Sequence, residues 1–217
     1  MPGAVTVFLL DVDNTLLDND TVIEDLRRHM ADTLGEDCQQ RYWALFEQLR
    51  TELGYADYLG ALQRYRIERP RDPHVLSMSL YLLHYPFADR VYPRAFDAIT
   101  HLKTRGRVVI LSDGDVVFQP RKVERSGLWG AVDGEALIYI HKEQMLEDVE
   151  ARYPARRYVM VDDKLRILAA MKHTWGDRLT TVFVRQGHYA NDTALVQSLP
   201  PADLTVETIG EIINLRM

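Results

Sequence analysis

Val5-Thr6-Val7-Phe8-Leu9-Leu10-Asp11-Val12-Asp13-Asn14-Thr15 is the stretch on which the fold turns. A continuous apolar run of strand length ends in two carboxylates one residue apart. Runs without polar alternation suit strands buried on both faces, as in a parallel sheet. Four further runs follow: Val108–Leu111, Ala136–Ile140, Tyr158–Val161 and Thr180–Val184. Helical patterns separate them. Ala95, Phe96, Ile99 and Leu102 follow Pro93 and stop at Gly106. Met145, Leu146 and Val149 share a face after Lys142, and Leu165, Leu168, Ala169 and Lys172 recur at spacings of three and four. This alternation predicts an α/β fold, a doubly wound parallel sheet with helices on both faces.

One interval is too long for a simple crossover. Between Leu17 and Tyr92 lie 74 residues with no strand-like run. Thr21-Val22-Ile23-Glu24 has the form of a capping box and predicts a helix ended by Gly35. Tyr42, Leu45, Phe46, Leu49 and Leu53 predict a second, stopped by Gly54. Tyr58, Leu59 and Leu62 continue the pattern. Pro70 and Pro73 punctuate before a last helix over Val75–His84. A module of about four helices is thus inserted after the first strand.

Composition bounds the rest. The 217 residues, against about 150 per domain, allow one large domain or one domain with an insertion. Hydrophobic residues make up 47% and charged residues 27%, an ordinary globular balance. The single cysteine, Cys38, excludes an internal disulfide and a cysteine zinc cluster. It also favours a reducing compartment. A net charge of -6 gives no basic face for nucleic acid. No apolar run approaches the roughly 20 residues that cross a bilayer. Met1-Pro2-Gly3-Ala4 lacks the basic segment of a secretory signal. The expectation is a cytoplasmic protein with no nucleic-acid or membrane partner.

In an open parallel sheet, ligands bind beyond the carboxyl ends of the strands. Asp and Asn also end strands simply as turn formers, so Asp11-Val12-Asp13 alone leaves the question open. The other strand ends narrow it. The second strand ends in Ser112-Asp113-Gly114, the fourth in Asp162-Asp163-Lys164, and Lys142 precedes the fourth. All fall on one sheet edge. Clustered carboxylates raise one another's pKa unless a cation offsets them. Magnesium accepts such oxygen ligands. A carboxylate nucleophile, a second acid, a hydroxyl, a lysine and a metal suit phosphoryl transfer.

Asp11-Val12-Asp13-Asn14-Thr15, Ser112, Lys142 and Asp162-Asp163 resemble the four motifs of the haloacid dehalogenase superfamily of aspartate-nucleophile hydrolases. The helical insertion is similar to that superfamily's α-helical cap. The resemblance implies a core over 1–16 and 91–217 and a cap over 17–90. It implies Asp11 as the nucleophile that becomes aspartyl phosphate and Asp13 as general acid and base. Thr15 would brace their loop. Ser112, with Asp113 and Gly114, would bind the phosphoryl group. Lys142 would stabilise the transferring group. Mg2+ would be ligated by Asp163, the Asp11 side chain and the Asp13 carbonyl, with Asp162 in support. Many relatives carry another acid four residues past the metal-binding one; here that position is Ile167.

The implied activity is hydrolysis of a small-molecule phosphate ester. A phosphomutase or phosphonate-cleaving enzyme keeps the same core motifs. A 2-haloacid dehalogenase uses the same nucleophile without metal, and resembles this pattern less at Asp13. A phosphoacceptor signalling domain also uses clustered acids, but needs neither the DxD spacing nor a lid. A non-catalytic member would have lost one of the charged groups. Arg41, Tyr42, Trp43, Tyr55, Tyr58, Arg64, Tyr65 and Arg66 give the insertion ring and charge for a leaving group, though Tyr42 reads as helix packing and Arg64 and Arg66 as solvated. Asp115, Arg121, Lys122, Arg185, Gln186, Gly187 and His188 fall near the active edge. His141 reads as structural, Cys38 as an inert residue in a loop between helices, and Trp129 and Trp175 as packing. An insertion helix with exposed apolar residues could serve as a homodimer face.

Overall fold

The computed structural model describes residues 4–216. Met1–Gly3, on which the reading of the amino terminus rests, and Met217 lie outside the described residues. Six strands form one parallel sheet: β1 (Ala4–Leu10), β2 (Arg107–Asp113), β3 (Ala136–Tyr139), β4 (Ala155–Asp162), β5 (Leu179–Val184) and β6 (Leu204–Val206). Their order is β3-β2-β1-β4-β5-β6. The chain reverses its winding at β1, between β2 and β4, which is where such sheets open a crevice.

The strand side chains sort by the period of two. Phe8 and Leu10 of β1, Val108 and Ile110 of β2, and Val159 and Val161 of β4 join one core. Val7 and Leu9, Val109 and Leu111, and Tyr158 and Met160 join the other. The first core is roofed by α5 (Ala95–Lys103), α6 (Phe118–Arg125) and α7 (Leu128–Ala131). The second is covered by α8 (Leu146–Arg152), α9 (Leu165–Trp175) and α10 (Gly187–Asn191). Both faces are covered, which is why the strands read as unbroken apolar runs.

Between β1 and α5 lie four helices: α1 (Asn19–Leu34), α2 (Glu36–Leu53), α3 (Tyr58–Glu68) and α4 (Val75–His84). Gly35 and Gly54 end α1 and α2 as expected, and Gly54 does so at φ +80°. The two connections to the sheet run side by side. Leu17 bridges Val91, the Asp18 amide donates to the Arg90 carbonyl at 2.8 Å, and the Tyr92 amide to the Leu16 carbonyl at 2.9 Å. Val22, Leu26 and Met30 of α1 continue the first core into the helices.

Several local expectations are corrected. The cap of α1 is Asp18, whose carboxylate accepts from the Thr21 amide, so the helix starts before Thr21. Met145 precedes α8 and is exposed, while Leu146 and Val149 are buried. Cys38 lies in the first turn of α2, not in a loop, with Arg69 Nη1 2.9 Å from its sulfur. Trp175 packs, stacked on Tyr158, but Trp129 is exposed. β6 escaped notice because Leu204-Thr205-Val206 is too short to carry a pattern. Among the described residues, no helix is long and apolar enough to cross a membrane.

Candidate active site

The carboxyl ends of β1 and β4 bring three acids together. Asp11 follows β1, tied by its amide to the Val161 carbonyl at 3.0 Å; Asp162 ends β4 and Asp163 follows. All three are buried, and one carboxylate oxygen from each lies within 4.8 Å of the others. Burial pushes the Asp11 carboxyl up to about 7, with Lys142 opposing and Asp162 adding to the rise. Burial likewise raises Asp163 well above the ordinary carboxylate range, against the pull of Lys164.

Two ammonium groups, Lys142 buried and Lys164 half-buried, face these acids. Lys142 Nζ donates to Asp11 Oδ1, lies 2.7 Å from Asp162 Oδ2, and reaches the Leu111 carbonyl at 3.3 Å. Burial alone would lower its pKa, but Asp11, Asp162 and Asp113 hold it above its ordinary value. Lys164 is likewise held up, burial opposing and Asp163 leading the rise. The turn that carries Lys142 is anchored by Asp113, whose Oδ1 accepts from the Lys142 amide at 2.7 Å. Burial raises the Asp113 carboxyl, with Lys142 in opposition.

Asp13 sits on the other side of the β1 loop. Its Oδ1 accepts from Lys122 Nζ at 2.7 Å, and Lys122 donates onward to Asn19 Oδ1 at 2.9 Å. Lys122 is buried on α6, so it links the acid to the first residue of α1. Sequence reasoning placed Lys122 only among residues near the edge. Gln119 escaped notice altogether: its Nε2 donates to Ser112 Oγ at 3.0 Å. Both lie on the buried side of α6, three residues apart, a spacing that could have marked them. A Cβ at Gly114 would meet Gln119 Cβ at 2.5 Å, so this strand end admits no side chain there.

The loop itself is built around Asn14, at φ 59°. Its Oδ1 accepts from the Asn19 and Asp20 amides, and its Nδ2 donates to Asp20. Gln186 braces the loop by donating to the Thr15 carbonyl at 3.0 Å while accepting from the Ile209 amide. Thr15 Oγ1 is buried without a partner. His188 pairs with Asp20 at 2.6 Å.

A cavity of about 460 Å³ opens between this edge and the inserted helices. Asp13, Asp113, Gly114, Gln119 and Lys164 line one side, and Trp43, Phe46, Tyr55 and Tyr58 the other. The rings of Trp43, Phe46, Tyr58 and Phe118 contact in series. Other residues expected near the site face elsewhere. Arg121 donates to the Leu83 carbonyl, Asp115 caps α6 through the Val117 and Phe118 amides, and Arg185 pairs with Glu207. His141 packs beside Gly54. Arg41 and Arg64 pair with Glu68 and Glu52, and Tyr42 and Tyr65 are core.

The trio fits a divalent cation. Asp11 Oδ2 and both oxygens of Asp163 are buried without a hydrogen-bond partner. Such atoms are costly to leave unpaired, and an all-oxygen donor set suits a hard cation. Asp162 is otherwise engaged, its Oδ1 accepting from the Lys164 amide at 2.8 Å and its Oδ2 facing Lys142.

Comparison with known proteins agrees with this architecture. No curated protein matches the chain. A crystal structure described as a haloacid dehalogenase-like hydrolase, from Burkholderia xenovorans LB400, is 65% identical and superposes with a TM-score of 0.94, covering 98% of this chain and 99% of that one. A haloacid dehalogenase-like family hydrolase from Xanthomonas campestris shares the fold at 18% identity and a TM-score of 0.69, over 98% of this chain and 91% of that one. The L-2-haloacid dehalogenase of Xanthobacter autotrophicus does so at 18% and 0.62, over 96% of each chain. The haloacid dehalogenase-like hydrolase family model matches residues 5–173, so the chain belongs to that family and is a hydrolase.

Proposed function

We propose that the protein is a magnesium-dependent phosphohydrolase that cleaves a small phosphomonoester through an aspartyl phosphate on Asp11. The observation that carries this reading is the buried trio, in which both Asp163 oxygens are unpaired beside the cation position and Asp11 Oδ2 is unpaired and open to phosphorus. A reaction at carbon needs no cation; a phosphoryl group adds negative charge beside three acids that Lys142 and Lys164 already have to offset.

Asp163 and Asp11 Oδ1 would hold Mg2+, Asp11 Oδ2 being kept for phosphorus, with Asp162 supporting through Lys142. Bound there, the ion supplies charge neutralisation between the nucleophile and the phosphoryl oxygens. The chain's own residues do the rest. Lys142 holds Asp11 Oδ1 and leaves Oδ2 free to attack phosphorus. As the Oδ2–P bond forms, the ester P–O bond breaks and Asp13 delivers a proton to the departing oxygen. Asp13 then takes a proton from water, whose oxygen attacks phosphorus; the P–Oδ2 bond breaks and Asp11 is restored. Lys142 and Ser112 stabilise the equatorial oxygens. The inserted helices act as a cap whose wall of Trp43, Phe46, Tyr55 and Tyr58 meets the leaving group and excludes water.

The test is two assays on one preparation. Magnesium-dependent phosphate release from p-nitrophenyl phosphate without chloride release from 2-chloropropionate is the expected result. Chloride release without phosphatase activity would overturn the reading in favour of a dehalogenase.

A further inference from the structure

Lys164 is used by neither the attack nor the proton transfer. It follows Asp163 and lines the cavity, with Nζ 5.1 Å from the Tyr189 ring centroid. Asp163, Asp11 and Asp162 act on it through space. Yet among the described residues no carboxylate oxygen lies within 4.0 Å of Nζ and no acceptor bonds it. The other charged groups on the core side of the cavity are engaged. Asp20 is held by Asn14 and His188, Asp113 by the Lys142 amide, and Arg166 lies 3.8 Å from Glu143. On the opposite wall, Glu47 pairs with Arg50 at 2.9 Å, and Glu24 is exposed. Arg27 lies over Trp43 at 4.6 Å, again with no carboxylate within 4.0 Å.

A half-buried cation kept out of ion pairs, beside an aromatic face and on the wall of a cavity, has donors left for a ligand. The cavity's volume of about 460 Å³ also exceeds what a phosphoryl group alone would occupy. We infer that Lys164 anchors a second anionic group on the substrate, so that the preferred ester carries a carboxylate or further phosphate on its leaving group. Tyr189 fixes the ammonium from one side, and Arg27 extends the positive wall towards the cavity mouth. This rests on the phosphatase reading and names the substrate class for it.

The experiment compares kcat/KM for propyl phosphate and 3-(phosphonooxy)propionate, which differ by one terminal carboxylate. The ratio between them cancels any general loss of activity. Wild type is expected to favour the carboxylated ester by about tenfold or more, the size of one charged hydrogen bond. Lys164→Met should bring the ratio near one, and Lys164→Arg should retain most of it. A wild-type ratio near one overturns the inference, whether or not Lys164→Met folds. So does a ratio that Lys164→Met leaves unchanged, since Lys164 would then only offset the acids behind it. Hydrolysis of p-nitrophenyl phosphate with neither alkyl ester turned over also overturns it. No turnover of any phosphate ester removes the phosphatase reading itself.

Discussion

The strand-end cluster and the inserted helices handle charge in opposite ways. Around Asp11, charge is buried and incompletely paired: three acids, two nearby ammonium groups and four carboxylate oxygens with no hydrogen-bond partner, one of which, Asp162 Oδ2, is in an ion pair with Lys142. In the insertion, the paired charges lie outside and close on one another, as in Arg41 with Glu68, Arg64 with Glu52 and Arg50 with Glu47. The insertion is held by Tyr42, Leu45, Phe46, Leu49 and Leu62 packing inward. Folding alone would favour the second arrangement. The first is costly unless something else is bound, which is why chemistry is assigned to it.

Substitutions should separate the two regions. Asp13→Asn should lower turnover of alkyl phosphates by roughly 10²–10⁴-fold. The loss should be smaller for p-nitrophenyl phosphate, whose leaving group needs little protonation. Equal losses on both would break the assignment of Asp13 as the acid. Lys142→Met should reduce kcat by about 10²–10³-fold. In metal-free protein it should also cost about 3–5 kcal/mol in denaturant unfolding, because Asp11 and Asp162 lose their buried partner.

The cation should leave a mark without any substitution. Asp11, with a carboxyl pushed up to about 7, binds a proton more tightly folded than unfolded. Metal-free stability therefore falls as pH rises from about 4 through about 7. Mg2+ competes with that proton, so its stabilisation should be small near pH 5 and larger near pH 8. Thermal melts with and without Mg2+ read this directly, and a pH-independent increment would place the ion elsewhere. At the bottom of the scale, Arg41→Ala should leave Tm and activity unchanged, because its pair with Glu68 is solvent-screened. A large effect there would blur the contrast between the regions.

Legibility followed the same divide. The parallel sheet was readable because β1, β2 and β4 are buried on both faces and so carry unbroken apolar runs. The acids were readable because strand ends fix their place: Asp11, Ser112, Lys142, Asp162 and Asp163 do gather at one edge. What converges from helices was not. Lys122 and Gln119 lie on α6, over 100 residues from Asp13, and only packing of α6 against the β1 loop brings them there. In sequence Lys164 simply follows the strand-end acids; its place on the cavity wall beside Tyr189 comes from the packing of α10. The start of α1 was misplaced because Thr21 imitates a cap while Asp18 performs it. Trp129 was misread because hydrophobicity says nothing of which way a short helix such as α7 faces.

The central claim is that the buried acids at the ends of β1 and β4 form a metal-dependent nucleophilic centre. The most direct test is hydrolysis of p-nitrophenyl phosphate by wild type and Asp11→Asn, each with Mg2+ and with a chelator. Turnover only in wild type with Mg2+, with Asp11→Asn lower by roughly 10⁴-fold or more and still folded by circular dichroism, is the predicted result. Comparable turnover in Asp11→Asn, or turnover that the chelator leaves intact, would contradict it.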